Sequence, residues 1–167
     1  MTRRAVVQKW ILYSLCALAL VLVQSLLLVR VQVWGVHPFL LPAIAVIPVT
    51  LERDEGALLF SVFFGLACDL LTPVAGLPCF YALAFLVSGG LAWLLSGRVV
   101  AAGLVCSLAA AASALVVCGV LHLAVLAGSQ SVDVTAAAVL AGKEAALSLP
   151  LTVLVHYPFR RICLLTQ

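Results

Sequence analysis

Charged residues are scarce in this chain of 167 amino acids: only 9% are Asp, Glu, Lys or Arg, whereas 66% are hydrophobic. A soluble globular domain carries about 25% charged residues, because its surface has to be hydrated. The shortage of charge therefore excludes an ordinary soluble domain. One transmembrane helix uses about 20 apolar residues, so the chain has room for about six spans and for no second, soluble domain.

The chain also lacks the residue patterns that carry chemistry. Its six cysteines include no C-x-x-C pair, its three histidines lie far apart without metal-ligand spacing, and no G-x-S-x-G elbow is present. Its nine basic residues are scattered, whereas a nucleic-acid site needs them clustered on one face. We therefore expect no catalytic residue, no metal, no cofactor and no nucleic-acid partner.

Long apolar runs separated by charged or Pro- and Gly-containing segments predict an all-α bundle of six transmembrane helices. The second run contains Pro42 and Pro48 and is expected to be short and kinked. The third is expected to cover about 24 Å, less than the hydrocarbon core of about 30 Å. The predicted spans are residues 10–29, 36–50, 56–71, 79–95, 99–127 and 134–157 of a single domain, 1–167.

Six spans place both termini on the same side of the membrane, and the distribution of Lys and Arg selects that side. If both termini are cytoplasmic, Arg30 is the only basic residue in a segment on the outer side of the membrane, and Lys143 lies within the last span. The remaining basic residues lie inside: Arg3, Arg4, Lys9, Arg53, Arg98, Arg160 and Arg161. The sequence therefore predicts a multi-pass membrane protein with both ends in the cytoplasm.

Small residues recur every four positions in the last three predicted spans. In lipid, close packing through small residues holds helices together, so we expect these faces to form the centre of the bundle. The Leu- and Val-rich first span then suits lipid or a partner helix. The alternative is that small residues are simply common in membrane helices. The small-residue positions are Ala84, Ser88, Ala92 and Ser96, then Ala102, Cys106, Ala110 and Ala114, then Ala137, Ala141 and Ala145.

Four polar residues within or at the end of apolar runs are candidate functional positions: Asp69, His122, Lys143 and Glu144. A charge at mid-bilayer costs about 3 kcal/mol. Asp69 is expected either to stay hydrated and accept hydrogen bonds from the loop at 72–77, or to pair with a basic group. Lys143 and Glu144 point about 100° apart on a helix, so each needs its own partner. Either the last span begins near Lys143, or the two residues mark a proton or substrate path.

The order of features from residue 37 onwards resembles the MreD family of bacterial inner-membrane proteins. The positions that carry over are Gly65, Asp69 and Gly76. Around them stand His37-Pro38-Phe39-Leu40-Leu41 ahead of the second span, a charged turn with Gly56, the pattern Gly65-x-x-x-Asp69-Leu70-Leu71, Tyr81 in the fourth span, and Pro150 and Tyr157-Pro158-Phe159-Arg160-Arg161 at the end. The family often has an asparagine before the last-span proline, where this chain has Lys143 and Glu144 as the nearby polar residues.

The resemblance implies a non-catalytic scaffold of the rod-shape (elongation) machinery, located in the bacterial cytoplasmic membrane. Proteins of this family associate with the bitopic protein MreC. Through MreC they associate with the MreB cytoskeleton, the glycosyltransferase RodA and a penicillin-binding transpeptidase. The implied role is cell-shape maintenance through organisation of lateral peptidoglycan synthesis.

The family's fold is similar to that of the six-helix substrate-binding subunits of energy-coupling-factor vitamin transporters, which supplies the alternative function. Such subunits show an A-x-x-x-A motif in the first span, whereas here Ala17 is followed four residues later by Val21. They also need a polar pocket toward the outer side. For such a pocket the sequence offers His37, His122 and Asp69.

Overall fold

The computed structural model describes residues 3–72, 78–98, 103–128 and 134–166, and within these ranges the chain is all-helical, as predicted, with no strand. A short 3-10 turn, Leu28–Arg30, follows the first helix. The α-helices in these ranges are α1 Arg3–Leu26, α2 Leu41–Glu52, α3 Glu55–Leu71, α4 Phe80–Arg98, α5 Leu104–Gly128 and α6 Val134–Leu165.

Three helices are long and apolar enough to cross a membrane: Val6–Leu26 in α1, Leu104–Gly128 in α5 and Thr135–Leu165 in α6. Two further apolar helices are shorter, Leu41–Glu52 and Phe80–Ser96. The architecture is therefore consistent with a membrane protein.

The first two helices begin and end at other positions than the predicted spans. α1 already begins at Arg3 and ends at Leu26, where the 3-10 turn takes over. α2 begins at Leu41 rather than at residue 36, with Pro42 in its first turn, where a missing N–H costs no helical hydrogen bond. It ends at Glu52, because the next residue, Arg53, adopts a left-handed conformation with φ 53°.

α6 is longer than its predicted span. It runs through Pro150 and Pro158 to Leu165, beyond the predicted end at residue 157. In water a proline usually interrupts a helix. In an apolar setting, ending the helix would leave more backbone groups without a hydrogen bond than the proline does, so the helix continues through it. The start of the predicted fifth span, residues 99–102, lies outside the described residues.

α2 lies at the centre of the bundle. Every residue from Leu41 to Thr50 is buried, and α2 contacts each of the other five helices. The small-residue pattern had predicted a centre made of α4, α5 and α6. Within the described residues α4 and α6 make no contact, and α2 packs against both. The pattern missed this because α2 is apolar all round, which is typical of a fully enclosed helix.

Side chains of two other helices bind the backbone at the start of α2. The Leu40 N–H donates to Gln24 Oε1 of α1 at 3.1 Å, and the Phe39 N–H donates to Ser148 Oγ of α6 at 2.8 Å. The first N–H groups of a helix have no acceptor within the helix, so these bonds give partners to donors that would otherwise have none. α1 and α6 therefore determine where the proline-containing helix begins.

α1 lies at the edge of the bundle. In the described residues its backbone comes close only to α6 and α2 among the helices, and side chains near its start contact α3. A row of its large apolar side chains is exposed, and so extended an apolar surface is not typical of a soluble monomer. The row comprises Val6, Val7, Ile11, Leu12, Leu15, Leu18, Leu22, Val23 and Leu26.

Candidate functional site

Asp69 binds the first turn of α4. Its Oδ1 accepts the Tyr81 N–H at 2.8 Å and its Oδ2 accepts the Ala82 N–H at 2.9 Å. Both N–H groups lack a partner within α4, and the helix dipole favours a negative charge at this end. Neither expectation for Asp69 included these partners, and no ion pair to Asp69 occurs within the described ranges. The carboxylate therefore joins the end of α3 to the start of α4.

Gly65 lies one turn before Asp69 and lets the two helices come this close. A Cβ atom at Gly65 would lie 2.7 Å from Ala82 Cα and 2.7 Å from the Tyr81 carbonyl oxygen. One turn earlier again, Ser61 Oγ donates to the Phe85 carbonyl at 3.0 Å. Three residues at i, i+4 and i+8 thus contact the α4 backbone, and we call this set the α3–α4 contact. Gly76 lies outside the described residues.

Replacing Asp69 with Asn tests the α3–α4 contact. The amide keeps one oxygen for one N–H group but turns its own NH₂ toward the other donor, which leaves a donor unpaired. We expect a loss of about 1–3 kcal/mol in the free energy of unfolding, measured in mixed micelles of dodecyl maltoside and sodium dodecyl sulfate. Asp54→Asn is the matched control, because Asp54 caps its own helix, accepting the Ala57 N–H, and Asn caps equally well. Equal stability of the two variants would contradict this role of Asp69.

The predicted packing positions differ in their burial. The α4 set, Ala84, Ser88, Ala92 and Ser96, is buried, and so are Cys106, Ala110 and Ala114 of α5. Ala102 lies outside the described residues. The α6 set, Ala137, Ala141 and Ala145, is only partly buried, because these residues line a cavity.

This cavity, which we call the α5–α6 cavity, has a volume of about 260 Å³. It lies between the start of α4, the second half of α5 and the first half of α6. Its walls are mostly aromatic or aliphatic and include Phe39, Phe80 and Tyr81, while Glu144 and His122 contribute polar groups. The structure therefore brings together two of the four polar candidates named from the sequence.

Glu144 is half-buried and lines the α5–α6 cavity together with His122. The His122 ring packs edge-on against Phe80, with ring centroids 6.1 Å apart. α6 is continuous through this region, so neither Lys143 nor Glu144 marks the start of a helix. Lys143 is exposed and outside the cavity lining, and Asp69 is likewise absent from it.

A buried ion pair at the opposite end of the bundle was not anticipated. Lys9 Nζ and Tyr13 OH, one turn apart on α1, donate to Glu52 Oε2 and Oε1 at the end of α2, the latter bond being 2.8 Å long. The side chains of Lys9 and Glu52 are each only 9% exposed. The Tyr13 ring stacks on Phe159 of α6, with centroids 5.7 Å apart. This cluster, which we call the Lys9–Glu52 cluster, therefore joins α1, α2 and α6.

From the sequence, Lys9 belongs to a basic segment before the first apolar run. Glu52 belongs to the charged run Glu52-Arg53-Asp54-Glu55, which is expected to form a loop in water or among lipid headgroups, so neither residue is expected to be buried. The available signal was the i, i+4 spacing of Lys9 and Tyr13, which places an ammonium and a phenol on one face of α1. That spacing does not identify the acceptor, which lies 43 residues away in the chain.

Gly56, a further feature of the family resemblance, lies against the Trp10 ring. A Cβ atom at Gly56 would lie 2.9 Å from Trp10 Cζ2. The Trp10 ring also stacks on Phe60, with centroids 5.9 Å apart. The glycine therefore allows the start of α1 to pack closely over the start of α3.

A buried chain of hydrogen bonds links α2, α5 and α6. His156 Nδ1 lies 3.0 Å from Ser107 Oγ, which lies 2.9 Å from Thr50 Oγ1, and Thr50 donates to the Ile47 carbonyl. Ser107 thus lies between His156 and Thr50, and the three side chains come from three different helices. We therefore interpret the chain as a link between helices.

Comparisons of the chain with protein-family models, with curated proteins and with solved structures find no match.

Proposed function

We propose that this protein is an integral membrane scaffold of the MreD type, which organises an MreC-like bitopic partner and lateral peptidoglycan synthesis and so maintains cell shape. In this proposal all six helices cross the bacterial cytoplasmic membrane, in a bundle similar to the energy-coupling-factor substrate-binding subunits. Both termini lie in the cytoplasm. The protein has no catalytic role, and MreB, RodA and a penicillin-binding transpeptidase are indirect partners.

The α3–α4 contact is the observation that carries this proposal. Gly65 and Asp69, two of the three positions that carry over from the family pattern, act on the same turn of α4: one permits its approach and the other binds its N–H groups. Two residues with one joint structural role form a more specific pattern than either residue alone. Their geometry therefore supports treating the pattern as a unit.

The arrangement of α2 supports the six-span part of the proposal. At 12 residues, α2 is about 18 Å long, shorter than the hydrocarbon core of about 30 Å. Helices surround it on all sides, so its ends need not reach the membrane surfaces through lipid. Pro48 inside α2 is tolerable in such a setting, because neighbouring helices rather than lipid face the backbone group that it frees.

Partner recovery tests the scaffold function. We expect the tagged chain, expressed with a single-span, coiled-coil protein of the MreC type and purified in mild detergent, to retain that protein in stoichiometric amount. A single-span protein without a coiled coil, expressed at the same level, is the control for non-specific retention. Equal retention of both proteins, or of neither, would contradict the scaffold function.

Reporter fusions test the orientation of the chain. We expect a reporter active only in the cytoplasm to be active at both termini, because seven of the eight basic residues outside the spans then lie inside. A reporter active only outside the membrane is the reciprocal control. Activity of the two tails on opposite faces would exclude six spans.

The α5–α6 cavity favours a second candidate function, that of a substrate-binding subunit of a small-molecule transporter. A cavity lined by apolar walls and a few converging polar groups is typical of ligand sites. Purification with a stoichiometric small molecule and without a protein partner would select this function over the scaffold.

A further inference from the structure

The α5–α6 cavity is lined by a carboxylate, that of Glu144, which forms no ion pair within the described residues. Its side chain accepts no hydrogen bond there either, although its backbone carbonyl accepts one from Ser148 Oγ. The neighbouring cation, Lys143, is exposed and outside the lining. An ionisable side chain within an apolar helix is costly unless it is paired, so a cation inside the cavity would stabilise it.

The walls of the cavity restrict which cation fits. Within the described residues no group of three His, Cys, Asp or Glu side chains is placed to hold a metal ion. Hard metal ions such as Ca²⁺ and Mg²⁺ need about six oxygen ligands, and one carboxylate supplies at most two. The apolar lining would leave the remaining positions of a metal ion unfilled. An organic cation does not have this requirement.

Aromatic rings near the carboxylate complete an environment suited to an organic ammonium group. Phe80 and Tyr81 contact each other edge-to-face with centroids 5.3 Å apart, and Phe39 packs beside Tyr81 at 6.3 Å. The faces of aromatic rings attract cations within about 6 Å. Hydrogen bonds from Tyr81 and Ala82 to Asp69 hold this part of α4, and with it the rings, in place.

We propose that the α5–α6 cavity binds an organic ammonium group attached to an apolar body, with the Glu144 carboxylate as its counter-ion and the rings of Phe80 and Tyr81 against the body. The cavity volume of about 260 Å³ is slightly below the range of sites for drug-sized ligands. It admits a molecule of roughly ten heavy atoms. The ammonium group is either that of a free amine or that of a phosphatidylethanolamine headgroup. The site does not depend on the scaffold function, because Glu144 and Phe80 are not part of the family pattern. The α3–α4 contact uses the backbone N–H of Tyr81 rather than its ring.

The first arm of the test measures binding of a free amine. The full chain in lipid-depleted dodecyl maltoside is titrated with 2-phenylethylammonium and binding is measured by calorimetry. The neutral alcohol 2-phenylethanol is titrated in the same way as the matched control ligand. We expect the amine to bind at least tenfold more tightly than the alcohol. Glu144→Gln, which preserves shape but removes charge, is expected to abolish that preference, whereas Lys143→Gln retains it.

The second arm measures binding of the lipid headgroup. The chain is reconstituted in nanodiscs of equal parts phosphatidylethanolamine and phosphatidylglycerol, and retained lipid is counted by native mass spectrometry. Preferential retention of phosphatidylethanolamine by the wild type and by Lys143→Gln, but not by Glu144→Gln, identifies the lipid as the source. If the amine is preferred in the first arm and phosphatidylethanolamine is not preferentially retained in the second, the source is a free ligand.

The proposal is overturned if neither arm shows a preference for the ammonium group, or if Glu144→Gln, eluting as a single species of the wild-type size, keeps that preference. Ala141→Leu provides a second variant should Glu144→Gln fail to fold. Ala141 lines the cavity next to Gly119, and a leucine there occupies its volume without changing charge. Its expected effect is at least a tenfold loss of amine affinity or of lipid retention. Unchanged binding would also overturn the proposal.

Discussion

Replacing Gly65 with Ala is expected to lower the free energy of unfolding by about 3 kcal/mol, at the upper end of the cost of overpacking. The new methyl group would lie 2.7 Å from Ala82 Cα and from the Tyr81 carbonyl oxygen. Those atoms belong to the α4 backbone and cannot move aside by a side-chain rotation, so the two helices have to separate. Separation also lengthens both hydrogen bonds from the first turn of α4 to Asp69. Gly65→Leu is expected to prevent recovery of a monodisperse protein.

A second glycine in the same helix pair provides the control. A Cβ atom at Gly90 of α4 meets nothing within 4 Å. Gly90→Ala is therefore expected to leave the free energy of unfolding unchanged or to raise it by about 0.5–1 kcal/mol through its better helix propensity. Both variants are unfolded in the same mixed micelles and followed by circular dichroism. A Gly65→Ala variant as stable as Gly90→Ala would contradict the close approach of α3 and α4.

Removing either member of the buried ion pair is expected to cost about 3–5 kcal/mol, because the partner charge is left buried and unpaired. The variants are Lys9→Met and Glu52→Met, which keep long apolar side chains at both positions. Glu55→Met is the control, since Glu55 is exposed beside the same turn and its loss is expected to change the free energy of unfolding by no more than about 0.5 kcal/mol.

The double variant separates pairing from packing. Replacing both charges at once leaves no unpaired ion, so Lys9→Met combined with Glu52→Met is expected to be more stable than either single variant. It remains less stable than the wild type by about 1–3 kcal/mol, because the Tyr13 hydroxyl loses its acceptor. Additive losses in the double variant would show that the two side chains act independently and would contradict the Lys9–Glu52 cluster.

Both predictions concern contacts between different helices, and sequence reasoning treated the two differently. Gly65 and Asp69 were singled out because their spacing resembled a family pattern, without any indication of what they contact. Lys9 and Glu52 were assigned to water, because charge at the end of an apolar run is ordinarily hydrated at the membrane surface. In each case the partner is supplied by another helix, which local spacing does not specify.

The last helix also combines features that the sequence predicts with features that it does not. Apolar composition predicted a helix there, and the helix exists, but it passes through both prolines and extends beyond its predicted end. The adjacent Lys143 and Glu144 were correctly expected not to face each other. Which one points into a cavity depends on how α6 is rotated against α5, and that rotation is set by packing along the whole helix.

The sequence by itself determined that the chain is apolar and helical, because hydropathy and the requirement to pair backbone groups within each segment act locally. It also determined where the charged and proline-containing breaks between helices occur, to within a few residues. Only the tertiary structure decided that the shortest helix, α2, lies at the centre, that Asp69 binds the start of α4, and that Glu144 faces a cavity. Each of these depends on contacts between different helices, and the geometry of such a contact follows from the shapes of both surfaces rather than from the residues of either one.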